Sequence, residues 1–148
     1  MADPDPDCVL VPSLGQPGED EALAYALEAF PDAEVILLAV VFPLDAPLSE
    51  GNVLARDDER TAATRREAAE LLESAERSIP GVTDRVRIEP LEGRPGTVVP
   101  RYASREGIDH VVLYGHRNAT NSFVRRFLGR DVATTVVERV DKPVTVLG

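Results

Sequence analysis

The run Val35-Ile36-Leu37-Leu38-Ala39-Val40-Val41 constrains this chain more than any other stretch. Unbroken apolar character over this length predicts a strand buried on both faces, because an exposed face would alternate with polar residues. Such a strand needs helices on each side of its sheet. That requirement points to an α/β sandwich built on parallel strands.

The flanking segments supply the partners. Cys8-Val9-Leu10-Val11 predicts a first buried strand ended by Pro12. Gly18-Glu19-Asp20-Glu21 opens a helix with an apolar face of Leu23, Ala26, Leu27 and Phe30, and its early acids suit the helix dipole. After a less regular connection from Phe42 through Ala55, a helix from roughly Arg56 to Ser78 shows the stripe Ala68, Leu72, Ala75 and Ile79, with Leu71 beside it. Pro80-Gly81 breaks that helix before a short, more exposed strand around Val86-Arg87-Ile88. Pro95 pre-sets the first turn of a helix carrying Val98, Val99, Tyr102 and Ala103, with Gly107 suited to its C-terminal cap.

A strand from Asp109 to Tyr114, a polar loop, a helix near Asp131 to Val140 and a last strand Pro143-Val144-Thr145-Val146-Leu147 complete the chain. Right-handed crossovers, with a return past the first strand, give a five-stranded parallel sheet of order 3-2-1-4-5. At 148 residues and 43% hydrophobic, one domain spanning 1–148 accommodates all of this.

Charge and cysteine content narrow the function. Against 26 acidic residues stand 16 basic ones, a net charge of -10, and Lys142 is the sole lysine. That surface repels nucleic acid and anionic membranes, and it fits a protein kept soluble in a salt-loving host. Cys8 is the only cysteine, so no intrachain disulfide forms; at the start of a buried strand it serves as a small hydrophobe. The acidic N-terminus lacks the pattern of a secretory signal and no apolar run is long enough to span a bilayer, which predicts a cytoplasmic location.

Ligands of an open parallel sheet bind beyond the strand ends where the strand order reverses, here between strands one and four. Pro12, Ser13, Leu14 and Gly15, with Val40, would line one side of that crevice, and Gly115, His116, Arg117 and Asn118 the other. Gly129, Arg130 and Asp131, at the start of the last helix, would lie over it. Arg117, Arg125, Arg126 and Arg130 can pair with phosphate oxygens or bridge to surface acids. Asp131 suits a helix N-cap and opposes a phosphate at the same amides. His116 can bond a phosphate, a ribose or the loop backbone; His110, at the other end of its strand, reads as structural. Tyr114 reads as core packing under a helix. The histidines are too far apart to share a metal, and no acidic spacing completes a site.

Ser13 lacks a histidine base and a Gly-x-Ser-x-Gly turn. Neither an NTPase phosphate loop nor a dinucleotide fingerprint is present. No side chain is placed for general acid or base work, so binding outranks catalysis.

Taken together, Gly93-Arg94-Pro95-Gly96, the strand Asp109 to Tyr114 ending at Gly115, the helix-opening Gly129 and the closing Lys142-Pro143-Val144-Thr145-Val146 resemble the universal stress protein family. The resemblance implies an adenine nucleotide alpha hydrolase-like fold, ATP or AMP as ligand, and a homodimer through the last strand. Members that bind ATP carry Gly-x-x-Gly, nine residues, then Gly-Ser/Thr. Here Gly115 matches the first glycine, Asn118 replaces the second, ten residues precede Gly129, and Arg130 replaces the hydroxyl residue. The family's adenine-contacting aspartate is absent; Ser13 or Leu14 occupies its region. The resemblance therefore implies a stress-response or regulatory binding protein with a weak or altered adenine-nucleotide or anion pocket. A dimeric scaffold without a small ligand is the alternative, and a slow ATP hydrolase ranks third.

Overall fold

The computed structural model describes residues 6–42, 50–105, 107–115 and 132–148, with the side chains of 50–57 left aside. Strands β1 (Cys8–Ser13), β2 (Glu34–Val41), β3 (Val86–Glu92), β4 (His110–Tyr114) and β5 (Val144–Leu147) form one parallel sheet. Its order is β3-β2-β1-β4-β5, as the alternation of elements predicts. The helices are α1 (Glu19–Ala29), α2 (Glu50–Ser78), α3 (Pro95–Ala103) and α4 (Val132–Arg139). A 3-10 turn, Val82–Arg85, leads into β3.

The period-two geometry of β2 distributes its apolar run to two cores. Ile36, Leu38 and Val40 face one side, where Val98, Val99 and Tyr102 of α3 and Val132 and Val136 of α4 cover them. Val35, Leu37 and Ala39 face the other, beneath Leu23, Ala26 and Leu27 of α1 and Ala68 and Ala75 of α2. This double burial is why polar residues are missing from the strand after Glu34. β3 is an edge strand, half-buried along most of its length, and so admits Pro90 without breaking an interior ladder.

Several element ends differ from expectation. β1 runs past Pro12 to Ser13, paired with β2 throughout. Its ladder with β4 holds only Val9–His110 and Leu10–Val111, so Pro12 lies where one side of the strand has already left its pairing. α2 begins at Glu50 rather than near Arg56. Gly51 and Asn52 are poor helix formers, but first-turn amides have no intrahelical acceptor, so weak residues are tolerated there. β3 extends to Glu92, longer than expected. Gly107 is not the cap of α3: Ser104 fills that position, and Gly107, at φ +101°, turns the chain toward β4 instead.

Side chains that sequence reading left unassigned close the exposed helix ends. Arg85 donates to the carbonyls of Leu27, Phe30 and Ala33 at 2.5, 3.1 and 3.0 Å, satisfying the carboxyl end of α1 and the turn after it. Lys142 does the same for α3 through the Ala103 and Arg105 carbonyls, at 2.8 and 2.7 Å. Pro100, inside α3, cannot donate to the Gly96 carbonyl four residues back; Arg139 of α4 donates to it at 3.2 Å. Asp109 accepts the Asp7 and Cys8 amides at 2.9 and 3.0 Å, tying the entry of β1 to that of β4. Among the described residues, no helix is long and apolar enough to cross a membrane.

Candidate functional site

The strand order reverses between β1 and β4, which are direct neighbours with no strand between them. Their ladder stops halfway along β1, and the crevice of an open parallel sheet belongs at the carboxyl ends above that point. Pro12, Ser13, Leu14 and Val40 all lie at the ends of β1 and β2, and Gly115 follows β4. All five are buried. His116, Arg117, Asn118, Gly129, Arg130 and Asp131 lie outside the described residues, as does the expected Asp131 cap.

Leu14 and Val40 belong to the core on the α3 and α4 side. Gly115 has a packing reason for lacking a side chain. A Cβ there would stand 2.8 Å from Val146 Cγ1, and 3.6 Å from the Ala133 side chain. Its amide donates to the Leu147 carbonyl at 2.7 Å, prolonging the β4–β5 pairing by one residue. The glycine that ends β4 thus lets α4 and β5 close over the strand.

The other wall holds a residue that sequence reading treated only as one of three first-turn acids. Glu19, at the start of α1, is just 4% exposed. Its Oε2 accepts the Leu14 amide at 2.6 Å; its Oε1 accepts the Gly15 amide at 3.1 Å and the Ser13 hydroxyl at 3.4 Å. The carboxylate therefore folds the β1–α1 loop around itself. All of these donors are neutral. Burial raises the Glu19 pKa to about 7, outweighing the opposing hydrogen bonds from Leu14, Gln16, Gly15 and Ser13. Asp20 and Glu21 remain exposed. Any acid in this first turn suits the dipole, so the sequence carries no signal that singles out position 19.

Two further groups border the loop. Glu67 of α2 brings Oε2 to 3.3 Å from the place a Gly15 Cβ would take. Tyr114 packs its ring against Gly18, under the start of α1, as core packing requires. Gly18 adopts φ +91°, and its carbonyl accepts from the Glu21 and Ala22 amides to open the helix. The β1–α1 junction thus gathers two carboxylates, a serine hydroxyl and an aromatic ring.

His110 is remote from this end. It occupies the first position of β4, with Nε2 2.8 Å from Thr145 Oγ1 and its ring 4.8 Å from that of Phe30. Burial lowers its basicity, which favours the neutral ring at neutral pH. Cys8 packs against the edge of one core, and its thiol is raised chiefly by burial.

The sequence pattern of the universal stress protein family matches residues 7–148, nearly the whole chain. The chain belongs to the universal stress protein family. Solved structures of the family agree in fold. A universal stress protein in complex with cAMP has a TM-score of 0.66 and 21% identity, covering 98% of this chain and 99% of that one. UspA from Lactobacillus plantarum has a TM-score of 0.66 and 21% identity, covering 99% and 100% respectively. The universal stress protein from Archaeoglobus fulgidus in complex with dAMP has a TM-score of 0.60 and 15% identity, covering 97% and 98%. Comparison with curated protein sequences gives no match.

Proposed function

We propose that this universal stress protein is a regulatory binding protein of the stress response, with an adenine-nucleotide pocket altered from the family pattern. The observation that carries this reading is the adjacency of β1 and β4 at the reversal of strand order. Relatives with the same fold hold cAMP and dAMP, which makes a nucleoside monophosphate the natural first ligand, with ATP as a second. In this reading Pro12, Ser13, Leu14 and Val40 border the base and sugar. Gly115, His116, Arg117, Asn118, Gly129, Arg130 and Asp131 border the phosphate. The acids at the β1 end push the anionic part of the ligand toward the arginine-bearing side.

Calorimetric titration with cAMP, AMP, ATP and inorganic phosphate, at low and high salt, tests the proposal. Saturable nucleotide binding is expected, weakening as salt screens the arginines. The Arg117→Ala and Arg130→Ala double variant is expected to lose at least about tenfold in affinity, since each charge-assisted contact is worth roughly 1.5–3 kcal/mol. Absence of binding by the folded protein at both salt concentrations would remove the pocket and leave the scaffold reading.

The scaffold reading has its own support. Among the described residues β5 pairs only with β4, which leaves its outer edge open, and Val146 on that strand is 41% exposed. Val137 of α4 is 52% exposed. A second copy of the chain covering this edge would remove both an unpaired strand and apolar surface from water. Sedimentation equilibrium should then show a dimer for the wild type and a monomer for Val146→Lys with unchanged circular dichroism. A wild-type monomer at high concentration rules the arrangement out.

A further inference from the structure

We propose that Glu19 is a proton-operated clasp on the β1–α1 loop, and that a nucleotide entering the crevice binds more tightly when this clasp is protonated. The coupling rests on the nucleotide reading above; the clasp itself does not. Its basis is geometric. A buried carboxylate accepts the Leu14, Gly15 and Gln16 amides and the Ser13 hydroxyl, and every one of these bonds uses it as an acceptor. A proton added to Oε1 makes that oxygen a donor and leaves it a much weaker acceptor. The new O–H can donate to Ser13 Oγ, reversing that bond, while the hold of Oε1 on the Gly15 N–H weakens. Oε2 keeps the Leu14 amide.

One proton thus cancels a negative charge at the crevice wall and loosens one backbone amide. Both changes favour an anion. Gly15 sits at φ +74°, without a side chain, so its peptide can turn more freely once the bond is weakened. The transition falls near neutrality, because burial outweighs the hydrogen bonds that hold the charged form.

The ionisable groups that face the loop are few among the described residues. Glu67 of α2 approaches Gly15, Tyr114 of β4 lies on Gly18, and Asp20 and Glu21 follow Glu19 on α1 itself. The three acids are exposed and Tyr114 is half-buried, whereas Glu19 is buried. A Glu67→Gln variant should therefore leave the neutral transition in place.

The probe for coupling is cyclic AMP, whose phosphodiester keeps a single charge across the range and adds no titration of its own. Its affinity should rise as the pH falls from about 8.5 to about 5.5, approaching but not exceeding about tenfold per pH unit, the limit for one linked proton. In a His116→Gln background, which removes the imidazole proposed to border the phosphate, Glu19→Gln should make the affinity independent of pH. In the free protein, the amide resonances of Leu14 and Gly15 should titrate together near neutrality, Gly15 shifting further, and this should vanish in Glu19→Gln. Static amide resonances overturn the clasp. Titrating amides with pH-independent cyclic AMP affinity overturn the coupling while the nucleotide reading stands. No cyclic AMP binding at any pH overturns both that reading and the coupling, and the amide titration still decides the clasp.

Discussion

Replacing Gly18 with alanine should destabilise the protein by roughly 3 kcal/mol, the sum of a backbone and a packing penalty. Gly18 holds φ +91°, a region where an L side chain collides with its own backbone, at a penalty of about 1–2 kcal/mol. Its new Cβ would also lie 2.6 to 2.7 Å from three atoms of the Tyr114 ring. That ring must move, and overpacking of this kind costs about 1–3 kcal/mol.

Gly81 separates the two contributions. It has nearly the same φ, +93°, with nothing within 4 Å of its would-be Cβ. Gly81→Ala should therefore show only the backbone penalty, about 1–2 kcal/mol, in urea unfolding. Combining Gly18→Ala with Tyr114→Leu should recover most of the packing share. Equal losses at positions 18 and 81 would mean that Tyr114 does not pack against the α1 start in solution.

The second large effect is on the pH dependence of stability. Glu19 titrates at about 7 in the fold, against an ordinary value of 4.5. Between those values the folded protein holds a proton that the unfolded chain has lost. Stability from this group is therefore fully present below pH 4.5 and falls as the pH rises toward 7. The loss by mildly alkaline pH is on the order of 3 kcal/mol. Glu19→Gln should flatten that slope between about pH 5 and about pH 7.5, whatever its effect on absolute stability. Denaturant midpoints across this window are the measurement; an unchanged slope would show that Glu19 titrates as an ordinary surface acid. Since ionising the buried carboxyl opposes folding, the clasp at neutral pH is held against a stability gradient. Loops at binding sites commonly carry such strain.

Much of the architecture can be read from composition along the chain. The apolar run of β2 demands two covered faces, and the apolar stripes of α1 and α3 meet those faces where their periodicities predict. Element ends were harder to read. Pro12 resembles a strand terminator until one knows that β4 has already left that side of β1. Gly51 and Asn52 resemble a loop until one sees that they fall in the first turn of α2, where their weak propensity matters little. Gly115 was readable as a site glycine, but its contacts with Val146 and Ala133 give it a packing role that no local pattern reveals.

By itself, the sequence determined the layer order, the parallel sheet and the family, because hydrophobic periodicity and strand-end glycines are local signals that survive without coordinates. Only the tertiary structure decided which acid of Glu19, Asp20 and Glu21 is buried against Ser13 and the following loop. The helix dipole treats these three neighbours nearly alike. Their difference arises from the direction in which α1 leaves β1, and that direction is set by packing against distant residues of α2 and β4.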